Sequence, residues 1–246
     1  MEGYLKNVLE EYKPSYITVR ARRLDKLLGG GVPLGSVVEV YGPSGTGKTQ
    51  LCHQLAVNVQ LPREDGGLQG KAAYIDTEGK FRPRRIESIA RFMGVDPESV
   101  LTGILVARVF TMDAFERAVV SLEKLVSYHK VKLVVVDAFS QVLREAFERG
   151  GHLAKYEAIL RYLAIFRRLA RPSRVAVVLI DHAIAKMDDP LGFDSAGGRW
   201  VRNLVDIRIR IERLDGKMLA KLEFAPHVPP GEATFIIDKT GIVDAE

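Results

Sequence analysis

The sequence predicts an α/β fold in which a mostly parallel central sheet has helices on both faces and an antiparallel extension near the C-terminal end. Two observations lead to this prediction. Short β-branched and aliphatic runs alternate with amphipathic stretches along most of the chain, whereas the last segments alternate in period two and are joined by short turns. The 246 residues, 47% of them hydrophobic, are enough for one large domain with a full core.

The predicted elements follow one another in βα order. An edge strand over residues 16–19 leads to a short helix that ends at three consecutive glycines, and a turn follows them. The further predicted strands are residues 36–41, 72–76, 104–109, 132–137 and 174–180, and the predicted helices are residues 48–60, 83–93, 113–129 and 153–169. The last strands are residues 205–213, 218–224 and 233–238, with the sequence LDGK as a hairpin turn between the first two. We expect a leader over residues 1–15 and one core domain over residues 16–246.

Composition excludes several classes of protein. A single cysteine, Cys52, cannot form an internal disulfide or a multi-cysteine zinc site, which is typical of a reducing compartment. No apolar run approaches the roughly 18 residues that cross a bilayer, so we expect a cytoplasmic protein without a membrane partner. The net charge of +5 is compatible with a polyanionic partner but does not establish one.

The sequence GPSGTGKT matches the phosphate-loop pattern GxxxxGK[ST] at every fixed position, between a predicted strand and a predicted helix. Its glycines allow backbone N–H groups to surround phosphates, Lys48 reaches the β and γ oxygens, and the Thr49 hydroxyl can bind Mg²⁺. The alternative is a glycine-rich turn with a surface lysine. The predicted loop consists of Gly42, Pro43, Ser44, Gly45, Thr46, Gly47, Lys48 and Thr49.

Acidic residues follow two of the predicted strands. Asp137 ends an apolar strand, where a carboxylate can complete the magnesium shell, although such an aspartate is otherwise often a helix cap. Glu78 ends the stretch YIDTE and is the candidate general base that polarises the attacking water. Asp76, in the same stretch, is expected to support it.

Longer segments resemble one family. The strings LDKLLGGGVPLG, YGPSGTGKTQLCHQLAVNVQLP, GGLQGKAAYIDTEGKFRPRRI, LVVVDAF and APHVPPGEATF occur in the order and spacing of the RecA/RadA strand-exchange recombinases. From Tyr16 onward the chain resembles a paralog of archaeal RadA. The resemblance implies a RecA-like phosphate-loop ATPase core, ATP and Mg²⁺ as cofactors, DNA-stimulated hydrolysis, and Glu78 as the residue that activates water.

The resemblance adds three residues to the predicted nucleotide site. Arg85 falls where the family stacks an arginine on adenine, an interaction of about 0.5 to 2 kcal/mol; a solvated arginine at a helix start is the alternative. Gln50 directly follows the phosphate loop. His182 stands where the family has a glutamine that senses the γ-phosphate, and imidazole can make such a bond but ordinarily titrates at about pH 6.5. A loop histidine in ordinary contacts is the alternative.

Two segments correspond to the family's loops for single-stranded DNA. In the first, residues 144–153, Arg144 keeps its place and Arg149 lies beside the position of the family's second arginine. The second segment, residues 183–198, is shorter than in the recombinases.

The second DNA loop closes with Gly197 and Gly198. Arg199 and the arginines that come after it, among them Arg208 and Arg210, are expected to line a DNA groove. A solvated strand face is the alternative for those two.

The sequence lacks two features that the family's recombinases have. Residues 1–15 are too short for the DNA-binding domain that precedes the family's core, and no FxxA self-polymerisation motif is present there. The sequence therefore predicts a core-only recombinase paralog that binds DNA and assists the main RadA-type recombinase, or another paralog, in homologous recombination and repair. Single-stranded DNA is the expected ligand, with double-stranded DNA a further candidate.

Two alternatives remain for the function. One is an autonomous strand-exchange recombinase that forms filaments through other contacts. The other is a KaiC-like signalling ATPase that does not bind DNA, although such chains lack FRPxRI and PHxP in this arrangement.

Overall fold

The computed structural model describes residues 15–173, 175–186 and 189–245, and the predicted leader falls almost entirely outside them. One ten-stranded sheet organises these residues, and a two-stranded sheet pairs β1 (Tyr16–Ile17) with β2 (Val32–Pro33). The strands of the large sheet are β3 (Val37–Gly42), β4 (Lys71–Asp76), β5 (Ile104–Arg108), β6 (Val131–Asp137), β7 (Ala176–Lys186), β8 (Asp189–Ser195), β9 (Ile207–Leu214), β10 (Lys217–Phe224), β11 (Gly231–Asp238) and β12 (Gly241–Asp244).

Helices connect most of these strands. They are α1 (Arg22–Leu27), α2 (Lys48–Asn58), α3 (Pro83–Phe92), α4 (Pro97–Thr102), α5 (Met112–Tyr128), α6 (Phe139–Ser173) and α7 (Gly198–Arg202). The sequence did not predict β2, β8, β12, α4 or α7, each of which is short or lies in a segment read as a turn or loop.

The strand order is β12-β11-β10-β9-β3-β7-β6-β4-β5, with β8 added to β7. Strands β9, β3, β7, β6, β4 and β5 pair in parallel, whereas β9 to β12 form an antiparallel meander and β8 pairs antiparallel with β7. The predicted α/β class and its antiparallel extension are confirmed. In the LDGK turn, both Asp215 and Gly216 have positive φ, at 47° and 78°, as a tight hairpin turn requires.

Two apolar layers cover the sheet. In β6, Leu133 and Val135 face the layer that contains α2, and Val134 and Val136 face the layer of α5 and α6. Strand positions that are buried on both faces of a sheet are apolar, which explains the run LVVV over residues 133–136. The parallel strands end at the same edge of the sheet. In an open α/β sheet, the ligand ordinarily binds in a crevice at this carboxyl edge.

Candidate functional site

The phosphate-loop segment connects β3 to α2 at this carboxyl edge. Gly42 and Gly47 have φ of 155° and 90°, and a Cβ atom would lie 1.9 Å from the Ile211 carbonyl oxygen at the first position and 2.2 Å from Ile237 Cδ1 at the second. Both positions therefore need glycine for conformation and for space. No side chain caps the start of α2, so its first backbone N–H groups remain available to an anion.

Lys48 is folded back over the loop. Its side chain is buried, and Nζ donates hydrogen bonds of 2.8 Å to the Gly42 carbonyl and 2.7 Å to the Pro43 carbonyl. Burial lowers the pKa of the ammonium to about 8, and the Asp137 carboxylate opposes this shift. The ammonium is thus held by weak neutral acceptors that an anionic phosphate can replace.

Thr49 and Asp137 meet at the end of β6. The Thr49 hydroxyl donates a 2.8 Å hydrogen bond to Oδ2 of Asp137, and the Tyr74 hydroxyl donates one of 2.7 Å to the same oxygen. Burial raises the pKa of Asp137. Its second oxygen, Oδ1, is buried and has no hydrogen-bond partner in the described part of the chain. A hydroxyl beside an incompletely bonded carboxylate fits Mg²⁺, which prefers such oxygen ligands.

The described residues hold no cluster of three or more His, Cys, Asp or Glu side chains that could bind a metal. A cation in this cleft would therefore depend on phosphate and water oxygens for the rest of its shell, as Mg²⁺ usually does at nucleotide sites.

Asp76 organises the segment that carries Glu78. Its Oδ1 accepts hydrogen bonds from the backbone N–H groups of Glu78 (3.3 Å) and Lys80 (3.0 Å), and Oδ2 accepts one from Phe81 (3.0 Å). The carboxylate is fully buried. These contacts fix the turn that carries Glu78, and the supporting function of Asp76 stays a prediction.

Glu78 lies between two nitrogen donors. His182 Nε2 is 3.0 Å from Oε1 and 3.1 Å from Oε2, and Lys80 Nζ is 2.9 Å from Oε2. Hydrogen bonding to His182 is the main cause that lowers the pKa of Glu78 to about 2, and Lys80 adds to it. The structure thus brings His182, which lies within β7, to the candidate base. Sequence reasoning did not single out Lys80, because a lone lysine two residues after an acid is no motif.

Arg85 bridges the start of α3 to the turn after β11. Its Nε donates to Gln50 Oε1 at 2.6 Å, and its terminal nitrogens donate to the carbonyls of Asp238 (2.6 Å) and Lys239 (3.0 Å). Gln50 also lines the cleft above the phosphate loop, together with Ile237. The predicted contacts of Arg85 and Gln50 with a nucleotide remain predictions.

Comparison with known proteins establishes the family. The Rad51 family model matches residues 13–245. The chain belongs to the Rad51 family. Two curated relatives carry the name "DNA repair and recombination protein RadA". The protein of Aeropyrum pernix is 40% identical over 244 residues, which cover 97% of this chain and 76% of the relative. That of Metallosphaera sedula is 39% identical over 235 residues, covering 94% and 72%. The resemblance to the RecA/RadA recombinases is confirmed.

The first predicted DNA loop of this Rad51-family chain is largely helical, so its prediction as a loop was wrong. Arg144 and Arg149 lie in the first part of α6, which is interrupted by non-helical geometry at Gly150 and Gly151. Arg144 pairs with Glu148 at 3.7 Å, and Arg149 Nη2 lies 2.7 Å from Glu145. Such pairs four residues apart stabilise a helix. Both arginines are exposed.

The second predicted loop also contains regular structure, since β7 and β8 form a hairpin across it. Gly197 donates a 2.8 Å backbone hydrogen bond to Asp181 Oδ2, and Gly198 donates one of 3.1 Å to Ser195 Oγ. Arg199 is the second residue of α7, and its guanidinium lies 4.8 Å from the Trp200 ring centroid. Arg199 is exposed, as a DNA contact requires.

Arg208 contradicts both sequence interpretations, because it lines neither a DNA groove nor a solvated face. Its side chain is 1% exposed, and it binds Glu39 Oε2 at 2.6 Å, Glu223 Oε2 at 2.9 Å and Ser195 Oγ at 3.1 Å, with Asp194 as a further partner. This buried arginine fixes the β7–β8 hairpin to the sheet, because Asp194 and Ser195 lie in β8. Arg210 is partly exposed and pairs with Glu212.

Proposed function

We propose that this protein is a Mg²⁺-dependent ATPase that binds DNA and acts in homologous recombination and repair in the cytoplasm. The proposal rests on one observation. The phosphate loop, Asp137 and His182 line a single cleft of about 270 Å³. Family membership supports the reaction, because the related RadA proteins are named for DNA repair and recombination.

The site residues have separate tasks in this proposal. Lys48 and the N–H groups at the start of α2 bind the phosphates, and Thr49 with Asp137 holds Mg²⁺, which supplies Lewis-acid charge when bound. Glu78 accepts a proton from the attacking water at a carboxylate oxygen. His182 orients that carboxylate and relays nucleotide state to the β7–β8 hairpin, since it lies on β7 itself.

We assign the protein to the accessory paralogs rather than to the filament-forming recombinases. The second predicted DNA segment, residues 183–198, is shorter than in the recombinases and supports this assignment. The autonomous recombinase stays the second candidate, because the residues that match the Rad51 family cover nearly the whole chain.

The structure has no long apolar helix that could cross a membrane in the segments it describes.

The direct test is steady-state ATP hydrolysis with Mg²⁺, measured with and without single-stranded DNA. We expect slow hydrolysis that DNA accelerates, and no measurable hydrolysis or ATP binding in Lys48→Ala, because the phosphates lose their main side-chain counterion. Wild-type protein that neither binds nor hydrolyses ATP would contradict the proposal.

A second test separates the two candidates. Electron microscopy with ATP and DNA, together with copurification from the native source, distinguishes a filament from a complex with another recombinase. Filaments of this chain alone would favour the autonomous recombinase.

A further inference from the structure

Lys80 is a second lysine at the mouth of the nucleotide cleft. It lines the cleft together with Lys48 of the phosphate loop, Asp137 and His182. Its side chain is 42% exposed, so the ammonium is accessible to a ligand that enters from solvent. The proposed function above assigns no task to it.

The charge of Lys80 acts on the groups that would surround a nucleotide. Its positive charge contributes to lowering the pKa of Lys48, for which burial is the main cause, and it also acts on Asp137 and Glu78. Three candidate site residues therefore lie within electrostatic range of this ammonium. A lysine on a solvated loop remote from the site would have no such effect.

The partner of Lys80 is exchangeable. Its Nζ donates to Glu78 Oε2 at 2.9 Å, and Glu78 also has His182 Nε2 within hydrogen-bond distance of both oxygens. Glu78 would thus keep a donor if Lys80 left. An exposed ion pair of this kind contributes little to stability. A polyphosphate carries more negative charge than one carboxylate and competes well for the same ammonium.

We propose that Lys80 distinguishes nucleoside triphosphate from diphosphate by leaving Glu78 and binding the terminal phosphate. The exchange has two consequences. It adds a cation where negative charge develops during phosphoryl transfer, and it frees Glu78 Oε2 to bind the attacking water. This inference rests on the proposed function of the cleft.

Isothermal titration with ATPγS and with ADP, each with Mg²⁺, tests the proposal on wild type, Lys80→Ala, Lys80→Arg and Lys124→Ala. We expect Lys80→Ala to weaken ATPγS binding about 10- to 100-fold, the range for one charge-assisted hydrogen bond. Binding of ADP should change less than about twofold. Lys80→Arg should recover most of the loss, because guanidinium also binds phosphate.

Lys124→Ala is the matched control, since it removes the same charge from an exposed position on α5. It should bind both nucleotides as the wild type does. Equal loss of ATPγS and ADP binding in Lys80→Ala, or no loss of either, would overturn the role of Lys80 while leaving the proposed function in place. A wild type that binds neither nucleotide would instead overturn the proposed function itself.

Discussion

The nucleotide cleft and the face formed by the first part of α6 and the β7–β8 hairpin differ in how their polar residues are held. In the cleft, Lys48, Asp76 and Asp137 are buried and make hydrogen bonds to backbone or to other site residues. On the other face, Arg144 and Arg149 are exposed and pair with acids on their own helix. The cleft is preorganised, whereas the charges on the face remain adaptable.

This difference suits the two ligands that we propose. Phosphoryl transfer needs groups fixed in position before the reaction. DNA binding depends on phosphate contacts that are largely independent of sequence and sensitive to salt, for which exposed and movable arginines are adequate. Substitutions in the two regions should therefore fail in different ways.

The largest expected effect is on turnover, from Glu78→Gln. The amide keeps the shape of the side chain but cannot accept the proton of water, so kcat should fall about 10² to 10⁴-fold. ATP affinity should stay within about threefold, because Lys48 and the loop are intact. Single-turnover hydrolysis and equilibrium ATP binding measure the two quantities. Unchanged hydrolysis would remove Glu78 as general base.

The next effect concerns folding. Arg208→Met leaves Glu39, Asp194 and Glu223 without their buried cation, so the free energy of unfolding should fall by about 3 to 5 kcal/mol. Urea denaturation measures this change. Arg213→Met, on the same strand but exposed, is the control and should change stability by less than about 0.5 kcal/mol. Equal small losses in both variants would show that the buried cluster contributes no net stability.

Substitution of His182 tests whether the two regions are coupled. His182→Ala should leave ATP affinity within about tenfold, yet abolish the stimulation of hydrolysis by DNA, whereas His182→Gln should retain it. ATPase assays with and without single-stranded DNA decide this. Equal stimulation in wild type and both variants would make His182 a bystander.

The same variant predicts a shift in pH dependence. His182 is the main cause that holds the pKa of Glu78 at about 2, below its ordinary value of 4.5. The base must be ionised, so activity is lost as pH falls through its pKa. Without His182 that pKa rises, and kcat of His182→Ala should begin to fall at a higher pH than kcat of the wild type. A pH series with circular dichroism as the folding control tests the shift. If kcat of the wild type and of His182→Ala fell over the same range of acidic pH, the prediction would be contradicted.

The smallest effect is expected on the exposed face. Arg144→Ala and Arg149→Ala should each weaken single-stranded DNA binding severalfold and lower the slope of log affinity against log salt by about 0.7. Stability should be nearly unchanged, since both side chains are exposed. Fluorescence anisotropy over a salt series is the measurement. Absence of DNA binding at low salt with Mg²⁺ and ATP would mean that the protein acts through partners alone.

Features with a local cause could be predicted from the sequence. The four residues before Asp137 are all apolar because both faces of the strand are covered there, so the end of the strand was evident. The helical start of α6 had a local signal that was missed, since Arg144 with Glu148 and Glu145 with Arg149 have the helical spacing of opposite charges. The resemblance, which assigned residues 144–153 to a DNA loop of the family, outweighed this signal.

Features that depend on distant parts of the chain could not be predicted. Alternation along β9 identified the face of Arg208 but not what lies over it. The cover comes from residues far away in sequence, namely Glu39, Asp194 and Glu223. Lys80 was missed for a related reason, because its place in the lining of the cleft beside Lys48 and His182 depends on residues that are distant in sequence.

The close packing of the phosphate-loop glycines has a consequence during protein synthesis. Gly42 lies against Ile211 of β9 and Gly47 against Ile237 of β11, and the chain makes both partners long after the loop itself. A nascent chain on the ribosome would therefore carry the complete loop sequence without the strands that shape it. Because non-local contacts form late in folding, we expect the loop to reach the shape that nucleotide binding requires only after almost the whole chain has been made.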